Sequence, residues 1–195
     1  MIILGLTGPS GTGKTTVAEV ARSMGFEVID CDKAAAEVTG NKELLNALEK
    51  AFSGVTQNGV LNRKALAEKA FETSDKTELL NSIMLPVIVQ NINEKINNAK
   101  NRGATHLLLD APTLYESGED KKCTAVIAVL ADENIRKERI LKRDALTPAQ
   151  LTSRLKAAKA DEFYLKRAEY IIYNNGDLAE VTQKTTEILK KFKEN

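Results

Sequence analysis

The clearest chemical pattern in this chain is a run of eight residues, Gly8-Pro9-Ser10-Gly11-Thr12-Gly13-Lys14-Thr15. The run matches G-x-x-x-x-G-K-[ST], the pattern of a phosphate-binding loop. Glycines let backbone N–H groups surround phosphate oxygens, and a following helix N-terminus adds a favourable dipole. In such a loop, Lys14 would reach the β- and γ-phosphates, and the Thr15 hydroxyl would ligate Mg²⁺. The pattern therefore predicts a site for a nucleoside triphosphate.

The segments beside this loop supply the strand–loop–helix context that the pattern requires. Residues 1–7 are a short apolar run typical of a buried strand, and residues 16–22 have the spacing of an amphipathic helix. The predicted nucleotide contacts of this region are Gly8, Ser10, Gly11, Thr12, Gly13, Lys14, Thr15 and Thr16.

A dinucleotide-binding loop is an alternative that fits less well. Its glycines follow G-x-G-x-x-G, and Asp30 or Asp32 does lie at the distance of a ribose-binding carboxylate. The glycines here are spaced differently, and Lys14 has no role in that design.

Composition sets further bounds on the class of protein. A chain of 195 residues, 43% hydrophobic, can bury the core of one α/β domain. Lys and Arg number 28 against 27 Asp and Glu, so no global field favours nucleic acid or a membrane. Cys31 and Cys123 are too few for a disulfide framework and lack metal-site spacing. We expect a cytoplasmic protein, monomeric or a small homo-oligomer, without a nucleic-acid or membrane partner.

The elements that would position the loop form an α/β pattern. Short apolar runs at 26–30, 106–110, 125–130 and 170–173 are typical of parallel strands covered on both faces. With the first strand they predict a five-stranded parallel sheet flanked by helices, in one domain spanning 1–195.

The segment 33–102 carries apolar residues at helical spacing, with breaks at Gly40, 53–54, 58–59 and 73–75. About seventy residues is more than one crossover helix needs. We expect an almost wholly helical insertion that caps the sheet.

Helix boundaries are also predicted near the C-terminus. Thr147 suits an N-cap, with Pro148 at the first helical position and Gln150 completing a capping box. The last helix is expected to run to about Lys191.

Ligands of such sheets bind at the carboxyl ends of the strands. Polar residues follow four of the predicted strands: Asp32, Asp110, Asp132 and the pair Asn174-Asn175. Asp32 could accept the proton of an attacking hydroxyl or cap a helix, and position alone leaves both open. Together with Thr15, either Asp32 or Asp110 could hold the Mg²⁺ shell through water, and Asp110 could instead cap a turn. His106, the single histidine, begins a strand at the opposite edge and is expected to be structural.

The charged segment 136–144 contains Arg139 and Arg143, which are four residues apart and thus on one helix face. A solvated helix face is the simpler interpretation of such a segment. Phosphoryl transfer, however, requires arginines that neutralise charge spreading in the transition state. In small nucleotide kinases such arginines lie on a lid between the last two strands, which predicts a lid over 136–158.

Several stretches, in the same order along the chain, resemble motifs of the dephospho-CoA kinase family. Gly5–Gly8 is similar to the family's opening, and Val28–Asp32 resembles V-I-D-x-D. The further stretches are Asn58–Leu66 (D-G-x-L-x-R-x-x-L), Asp110–Glu116 (D-x-P-L-L-F-E), Arg139–Asp144 (R-x-x-x-R-D) and Tyr170–Gly176 (V-I-x-N-x-G).

The resemblance implies a P-loop kinase that uses ATP and Mg²⁺ to phosphorylate the ribose 3′-hydroxyl of dephospho-CoA, giving CoA. It implies that Asp32 is the general base, with Lys14, Arg139 and Arg143 acting on the phosphates. It further implies two sets of contacts. The residues expected to contact the acceptor are Asp32, Arg63, Lys64, Asp110 and Pro112. At the last strand, Asn175 and Gly176 are expected to contact the nucleotide. The insertion 33–102 is expected to be the acceptor-binding part of the chain.

Three positions depart from the family pattern. Leu85 stands where the family has the His of a His-Pro pair, Ala36 where it has Arg, and Ala158 where it has Gln. These positions belong to the acceptor and lid side, so a relative that phosphorylates another nucleoside-like acceptor is an alternative. A nucleotide-dependent switch or regulatory ATPase is an alternative of a different class. The insertion and the paired lid arginines favour closure over a small substrate.

Overall fold

The computed structural model describes residues 1–144 and 146–194. The described chain divides into two units. One consists of Met1–Asp30 with the chain from Ala99 onward, and the other of Cys31–Asn98. Within the described ranges, no helix has both the length and the apolar character needed to cross a membrane.

The strands, in chain order, are β1 (Ile2–Thr7), β2 (Glu27–Asp30), β3 (Thr56–Gln57), β4 (Val60–Leu61), β5 (His106–Asp110), β6 (Ala125–Leu130) and β7 (Tyr170–Tyr173). The helices are α1 (Lys14–Ser23), α2 (Cys31–Glu37), α3 (Lys42–Phe52), α4 (Arg63–Ala70), α5 (Ser74–Asn101), α6 (Glu133–Arg143), α7 (Pro148–Ala157), α8 (Asp161–Leu165) and α9 (Leu178–Lys193). Short 3₁₀ turns occupy Val38–Gly40 and Glu119–Lys122.

Five of the described strands form one parallel sheet in the order β2-β5-β1-β6-β7, which confirms the predicted sheet. β1 is central, with Ile2 beside His106 of β5 and Leu4 beside Ala125 of β6. Because the strands share one direction, the loops after β1, β5, β6 and β7 leave from the same edge. That edge is where the phosphate-binding loop lies.

The sheet is covered on both faces, as its uninterrupted apolar strands predict. Alternate residues of β6 point to opposite faces. Ile127 and Val129 join a core with residues of α1 and α9, whereas Ala128 and Leu130 pack against Tyr164 of α8. Complete burial of a leucine or isoleucine side chain contributes roughly 1.5–3 kcal/mol, so these strands hold the site edge firmly.

The second unit differs from the sequence prediction in one respect. The segment 33–102 is predicted to be almost wholly helical, but it contains the antiparallel pair β3–β4, in which Thr56 lies opposite Leu61. Asn58 and Gly59 connect the two strands with φ of 52° and 74°. These left-handed values suit a tight hairpin turn, for which Asn-Gly is a favoured sequence. The Asn-Gly pair is therefore the turn of a hairpin and not only an interruption between helices.

The carboxylate of Glu49 holds the chain that enters this hairpin. It accepts hydrogen bonds from the N–H groups of Gly54, Val55 (3.0 Å) and Thr56 (2.7 Å) and from the Thr56 hydroxyl (2.7 Å). These hydrogen bonds lower the pKa of Glu49 from 4.5 to about 2. The bond from Gly54 N–H has the largest effect on the pKa, followed by the bond from the Thr56 hydroxyl. Their stabilising effect is thus present at neutral pH and is lost as the pH falls from 4.5 through about 2.

The predicted helix boundaries near the C-terminus agree closely with the structure. The Thr147 side chain accepts a hydrogen bond from Gln150 N–H, and the Gln150 side chain accepts one from Thr147 N–H, so the capping box is confirmed. The last helix ends at Lys193, two positions beyond the expected end. His106 has structural contacts, since its Nε2 lies 3.0 Å from the Phe192 carbonyl oxygen and its ring packs on Phe26.

We expect Gly8→Ala to lower the free energy of unfolding by about 1–3 kcal/mol, measured by urea denaturation. Gly8 has φ of 136°, and a Cβ there would lie 2.2 Å from the Val129 carbonyl oxygen of the neighbouring strand. Gly103→Ala is the control, because Gly103 also has positive φ (86°) but no atom within 4 Å of an added Cβ. Equal losses in the two variants would contradict a role for the contact with Val129.

Candidate functional site

The loop between β1 and α1 is held by side chains of its own residues. Lys14, the first residue of α1, donates hydrogen bonds from Nζ to the carbonyl oxygens of Gly8 (2.8 Å) and Pro9 (3.2 Å). The buried Thr12 hydroxyl donates to the same Pro9 oxygen at 2.9 Å. The lysine ammonium thus lies over the loop, where the pattern places the β- and γ-phosphates of a nucleotide.

Two predicted residues lie at the start of α1. Thr15 is exposed at the second position of the helix. Thr16 N–H donates to the Gly13 carbonyl oxygen at 3.1 Å, which closes the first turn. An exposed hydroxyl directly after the lysine is the arrangement that a Mg²⁺ ligand needs in this kind of loop.

Helix α6 brings three arginines to the loop. Arg136 donates from Nε to the Ser10 carbonyl oxygen at 3.0 Å, and Arg143 Nη2 lies 3.4 Å from the Ser10 hydroxyl oxygen. Arg139 Nη1 lies 3.5 Å from each of the carbonyl oxygens of Gly11 and Thr12. Positions 136, 139 and 143 share one helix face. The predicted pair Arg139 and Arg143 therefore contacts the loop, and this face is not merely a solvated one.

Arg136 was missed by the sequence analysis as a site residue. It is only 7% exposed, and its Nη2 is buried without a hydrogen-bond partner among the described residues. Its position three residues before Arg139 was the available signal, but the same charge run also suits a solvated helix. Because the Arg136 guanidinium is buried against the loop, this face of α6 serves the loop and is not a solvated helix face.

Arg143 is more exposed and has an acidic partner. It pairs with Asp144, its Nη2 lying 2.9 Å from Oδ2, and Asp144 also pairs with Arg154 of α7. The hydrogen bond from Arg143 lowers the pKa of the Asp144 carboxyl, and Asp144 in turn raises that of Arg143. Ala145, which lies within the predicted lid 136–158, is outside the described residues.

The residues after β6 and β7 form a second contact region. Asn175 Nδ2 donates to Asp132 Oδ1 at 3.0 Å, and Asp132 N–H donates to Asn175 Oδ1 at 2.9 Å. Asn174 is 8% exposed and donates from Nδ2 to the Thr12 carbonyl oxygen at 2.8 Å. The predicted nucleotide contacts Asn175 and Gly176 are exposed beside it. Asn174 was predicted to lie at the ligand-binding edge of the sheet, but the nucleotide contacts were assigned to its neighbours Asn175 and Gly176.

Asp110 and Pro112 lie at the end of β5, next to the central strand. Asp110 is half-buried and lies beside Leu6 in the sheet. The Pro112 carbonyl oxygen accepts a hydrogen bond from the Thr7 hydroxyl at 3.1 Å. Thr7 immediately precedes the loop, so both predicted residues are next to its beginning.

The remaining predicted residues belong to the unit Cys31–Asn98. Asp32 is the second residue of α2, so it lies in the first turn of the helix and not at the position before it. Arg63 begins α4, and its Nη2 is 3.4 Å from the Thr39 hydroxyl oxygen. Lys64 follows it, with Nζ 4.0 Å from Glu68 Oε1. All three predicted side chains are exposed.

No group of three or more His, Cys, Asp or Glu in residues 1–144 and 146–194 could hold a metal ion alone. In nucleotide enzymes Mg²⁺ is commonly shared by one or two protein oxygens, substrate phosphates and water. The side chains grouped at the loop are otherwise cationic, which suits a polyphosphate.

The described fold is that of a P-loop kinase. Shikimate kinase from Acinetobacter baumannii shares the fold, with a TM-score of 0.54 at 19% identity over 100% of this chain and 94% of that one. The family model for dephospho-CoA kinase matches residues 2–180, and the chain belongs to the dephospho-CoA kinase family.

Individual relatives agree with this assignment. The chain is 34% identical to a dephospho-CoA kinase of Corynebacterium glutamicum, covering 98% of this chain and 99% of the relative, and 31% identical to one of Fusobacterium nucleatum (94% and 95%). Among solved structures, a Thermus thermophilus protein has a TM-score of 0.85 at 29% identity, covering 97% of each chain. Dephospho-CoA kinase from Campylobacter jejuni has a TM-score of 0.72 at 25% identity, covering 97% of this chain and 96% of that one.

We expect Lys14→Ala to lower the rate of ADP formation in the presence of ATP and dephospho-CoA by roughly 10²–10³-fold, because one charge-stabilising donor is lost from the phosphates. Lys190→Ala, which removes an exposed lysine of α9, is the matched control and should retain full turnover. Near-normal turnover of a folded Lys14→Ala enzyme would contradict the assignment of the loop.

Proposed function

We propose that this chain transfers the γ-phosphoryl group of ATP to the ribose 3′-hydroxyl of dephospho-CoA, giving ADP and CoA. Membership of the dephospho-CoA kinase family supports this activity. The observation that carries the proposal is that Lys14, Arg136, Arg139 and Asn174 all bond to the loop that follows the central strand. The comparisons give no support to another acceptor or to a regulatory switch.

The cationic side chains would act on the phosphates of ATP. Phosphoryl transfer spreads negative charge over the oxygens of the γ-phosphoryl group and the leaving ADP. Lys14 would stabilise the β- and γ-phosphate oxygens from the loop, and Arg139 would do so from α6. Arg143 would join them by exchanging its contact with Asp144 for a phosphate, as the exposed position of its side chain allows. Asn175 and Gly176 would border the adenine.

The site also suits Mg²⁺, which would neutralise phosphate charge when bound with the nucleotide. Thr15 offers an exposed hydroxyl, and Asp110 offers a carboxylate at the end of β5 that could act through water. Both are hard oxygen donors of the kind that Mg²⁺ prefers. These residues would hold the ion, together with phosphate oxygens of the substrate.

Asp32 would serve the acceptor. Its carboxylate would accept the proton of the 3′-hydroxyl as the hydroxyl oxygen bonds to the γ-phosphorus and the bond to ADP breaks. Arg63 and Lys64, both exposed at the N-terminal end of α4, would pair with acceptor phosphates. The segment 33–102 would be the acceptor-binding insertion, and 136–158 would be the lid.

We also place the enzyme in the cytoplasm, as a monomer or small homo-oligomer. Its substrates are small anions, and the chain's net charge of +1 offers no general attraction to nucleic acid.

We expect Asp32→Asn to lower turnover by roughly 10²–10⁴-fold while the affinity for ATP changes little, because the substitution removes the base and keeps the size of the side chain. Glu180→Gln, which neutralises an acid in the first turn of α9, is the control for a general effect of helix-end charge. Steady-state kinetics and thermal denaturation of both variants would test this. Parallel losses of activity and stability in Asp32→Asn would instead indicate a structural role.

The departures from the family motif suggest a high Michaelis constant for dephospho-CoA, since Leu85, Ala36 and Ala158 stand where the family offers polar groups. Ala36 is exposed on α2, so an arginine can be accommodated there. We expect Ala36→Arg to lower this constant by about tenfold, because one charge-assisted hydrogen bond contributes roughly 1.5–3 kcal/mol.

The control is Ala179→Arg, which adds the same charge to an exposed position of α9. Kinetics with dephospho-CoA, adenosine and pantetheine phosphates at fixed ATP would compare the acceptors. Absent turnover of dephospho-CoA at millimolar concentration, with rapid turnover of another acceptor, would overturn the proposed substrate.

A further inference from the structure

Asn174, directly after β7, is a polar residue whose side chain is buried next to the loop. Its position is set by the sheet, because its N–H donates to the Leu130 carbonyl oxygen at the end of β6 at 2.8 Å. Its side chain therefore projects from a rigid strand end and not from a loop that could adjust.

The two ends of the Asn174 amide contact two different parts of the site. Nδ2 donates to the Thr12 carbonyl oxygen of the phosphate loop at 2.8 Å. Oδ1 accepts from Arg139 Nη2 at 3.1 Å, and the Asn174 backbone oxygen accepts from Arg139 Nη1 at 2.9 Å. One side chain thus uses its donor for the loop and its acceptor for the arginine.

The space around this amide is narrow. A Cβ at Gly13 would lie 2.2 Å from Asn174 Nδ2 and 3.9 Å from Arg139 Nη1. Gly13 is also the N-cap of α1, with φ of 89° and ψ of 30°. The close approach of the amide to the loop therefore depends on a residue without a side chain.

We infer that Asn174 is a positioning residue, which holds the Arg139 guanidinium and the loop at Thr12 in the arrangement that receives the phosphates of the nucleotide. The inference rests on the proposed function only in taking the substrate to be ATP. A guanidinium has five N–H donors, more than the bonds to Asn174 occupy, so Arg139 can contact Asn174 and a phosphate together. Asn174 itself acts through Arg139 and the loop.

Asparagine is suited to this position because it offers a donor and an acceptor in one short planar group. The substitution Asn174→Asp would keep the acceptor for Arg139 but would face the Thr12 carbonyl oxygen with a second acceptor. This variant should therefore fail even though it strengthens the charge facing Arg139.

The test is a double-mutant cycle with Asn174→Ala, Arg139→Ala and the combined variant. We expect Asn174→Ala to lower kcat by roughly a hundredfold, the loss typical of misplaced catalytic groups, with the Michaelis constant for dephospho-CoA unchanged. The loss should be much smaller when Arg139 is already absent, because Asn174 acts partly through that residue. Asn174→Asp should not restore kcat.

A stability control separates positioning from folding. Thr185→Ala removes a fully buried threonine hydroxyl that donates to the Val181 carbonyl oxygen within α9. This variant should lose thermal stability but retain kcat. The inference would be overturned if Asn174→Ala and Thr185→Ala, with equal losses of thermal stability, also showed equal losses of kcat. It would also be overturned by independent, multiplicative losses in the cycle, or by an Asn174→Ala enzyme with kcat within about twofold of the parent.

Binding of ATP alone, followed by calorimetry across the same cycle, distinguishes this inference from the proposed acceptor. If no turnover of dephospho-CoA occurred in the parent protein, the proposed function would fail. Even then, the positioning role would be supported if Asn174→Ala bound ATP more weakly than the parent and if this loss became smaller when Arg139 was also replaced. ATP binding by Asn174→Ala equal to that of the parent would overturn it.

Discussion

The rest of the site depends on the hydrogen bonding of the carbonyl groups in the phosphate loop. A loop that turns its N–H groups toward phosphate turns carbonyl groups outward, and these need donors because buried backbone oxygens are costly without them. Each backbone carbonyl oxygen of residues 8–12 accepts a hydrogen bond from a side chain. The donating side chains are Lys14, Thr12, Arg136, Arg139 and Asn174. The donors come from α1, α6 and the end of β7 as well as the loop. The loop itself can supply the N–H groups that bind phosphate. The surrounding helices and strands are needed mainly to supply hydrogen-bond donors for the carbonyl oxygens of the loop.

The sequence allowed the sheet, the loop and several helix ends to be predicted, because each has a local signal. Uninterrupted apolar runs indicated the parallel strands, and Thr147 with Gln150 indicated a helix start. The hairpin at Asn58-Gly59 was missed because two-residue strands have no detectable periodicity within a helical segment. The loop contacts of Arg136 and Asn174 were not predicted, because they depend on burial and on contacts between distant parts of the chain, which no local pattern records.

The predicted site residues differ in how much of their local environment is fixed. Arg139 is held by two hydrogen bonds to Asn174, whereas Arg143 is exposed and shares Asp144 with Arg154. Exposed ion pairs contribute little and exchange readily. One arginine is therefore suited to a fixed contact with phosphate, and the other to a contact made when substrate is bound.

The close approach of Gly13 to Asn174 has a consequence for the history of the sequence. With 2.2 Å between a Cβ at position 13 and the amide nitrogen, a side chain at position 13 does not fit while Asn174 keeps its place. The two residues are near opposite ends of the chain, yet they occupy one shared space. A larger residue at position 13 would require a smaller one at position 174, and Arg139 would then lose its Oδ1 acceptor while keeping the backbone oxygen of residue 174. These three positions should accordingly have evolved as a group, with changes at one fixed only alongside changes at the others.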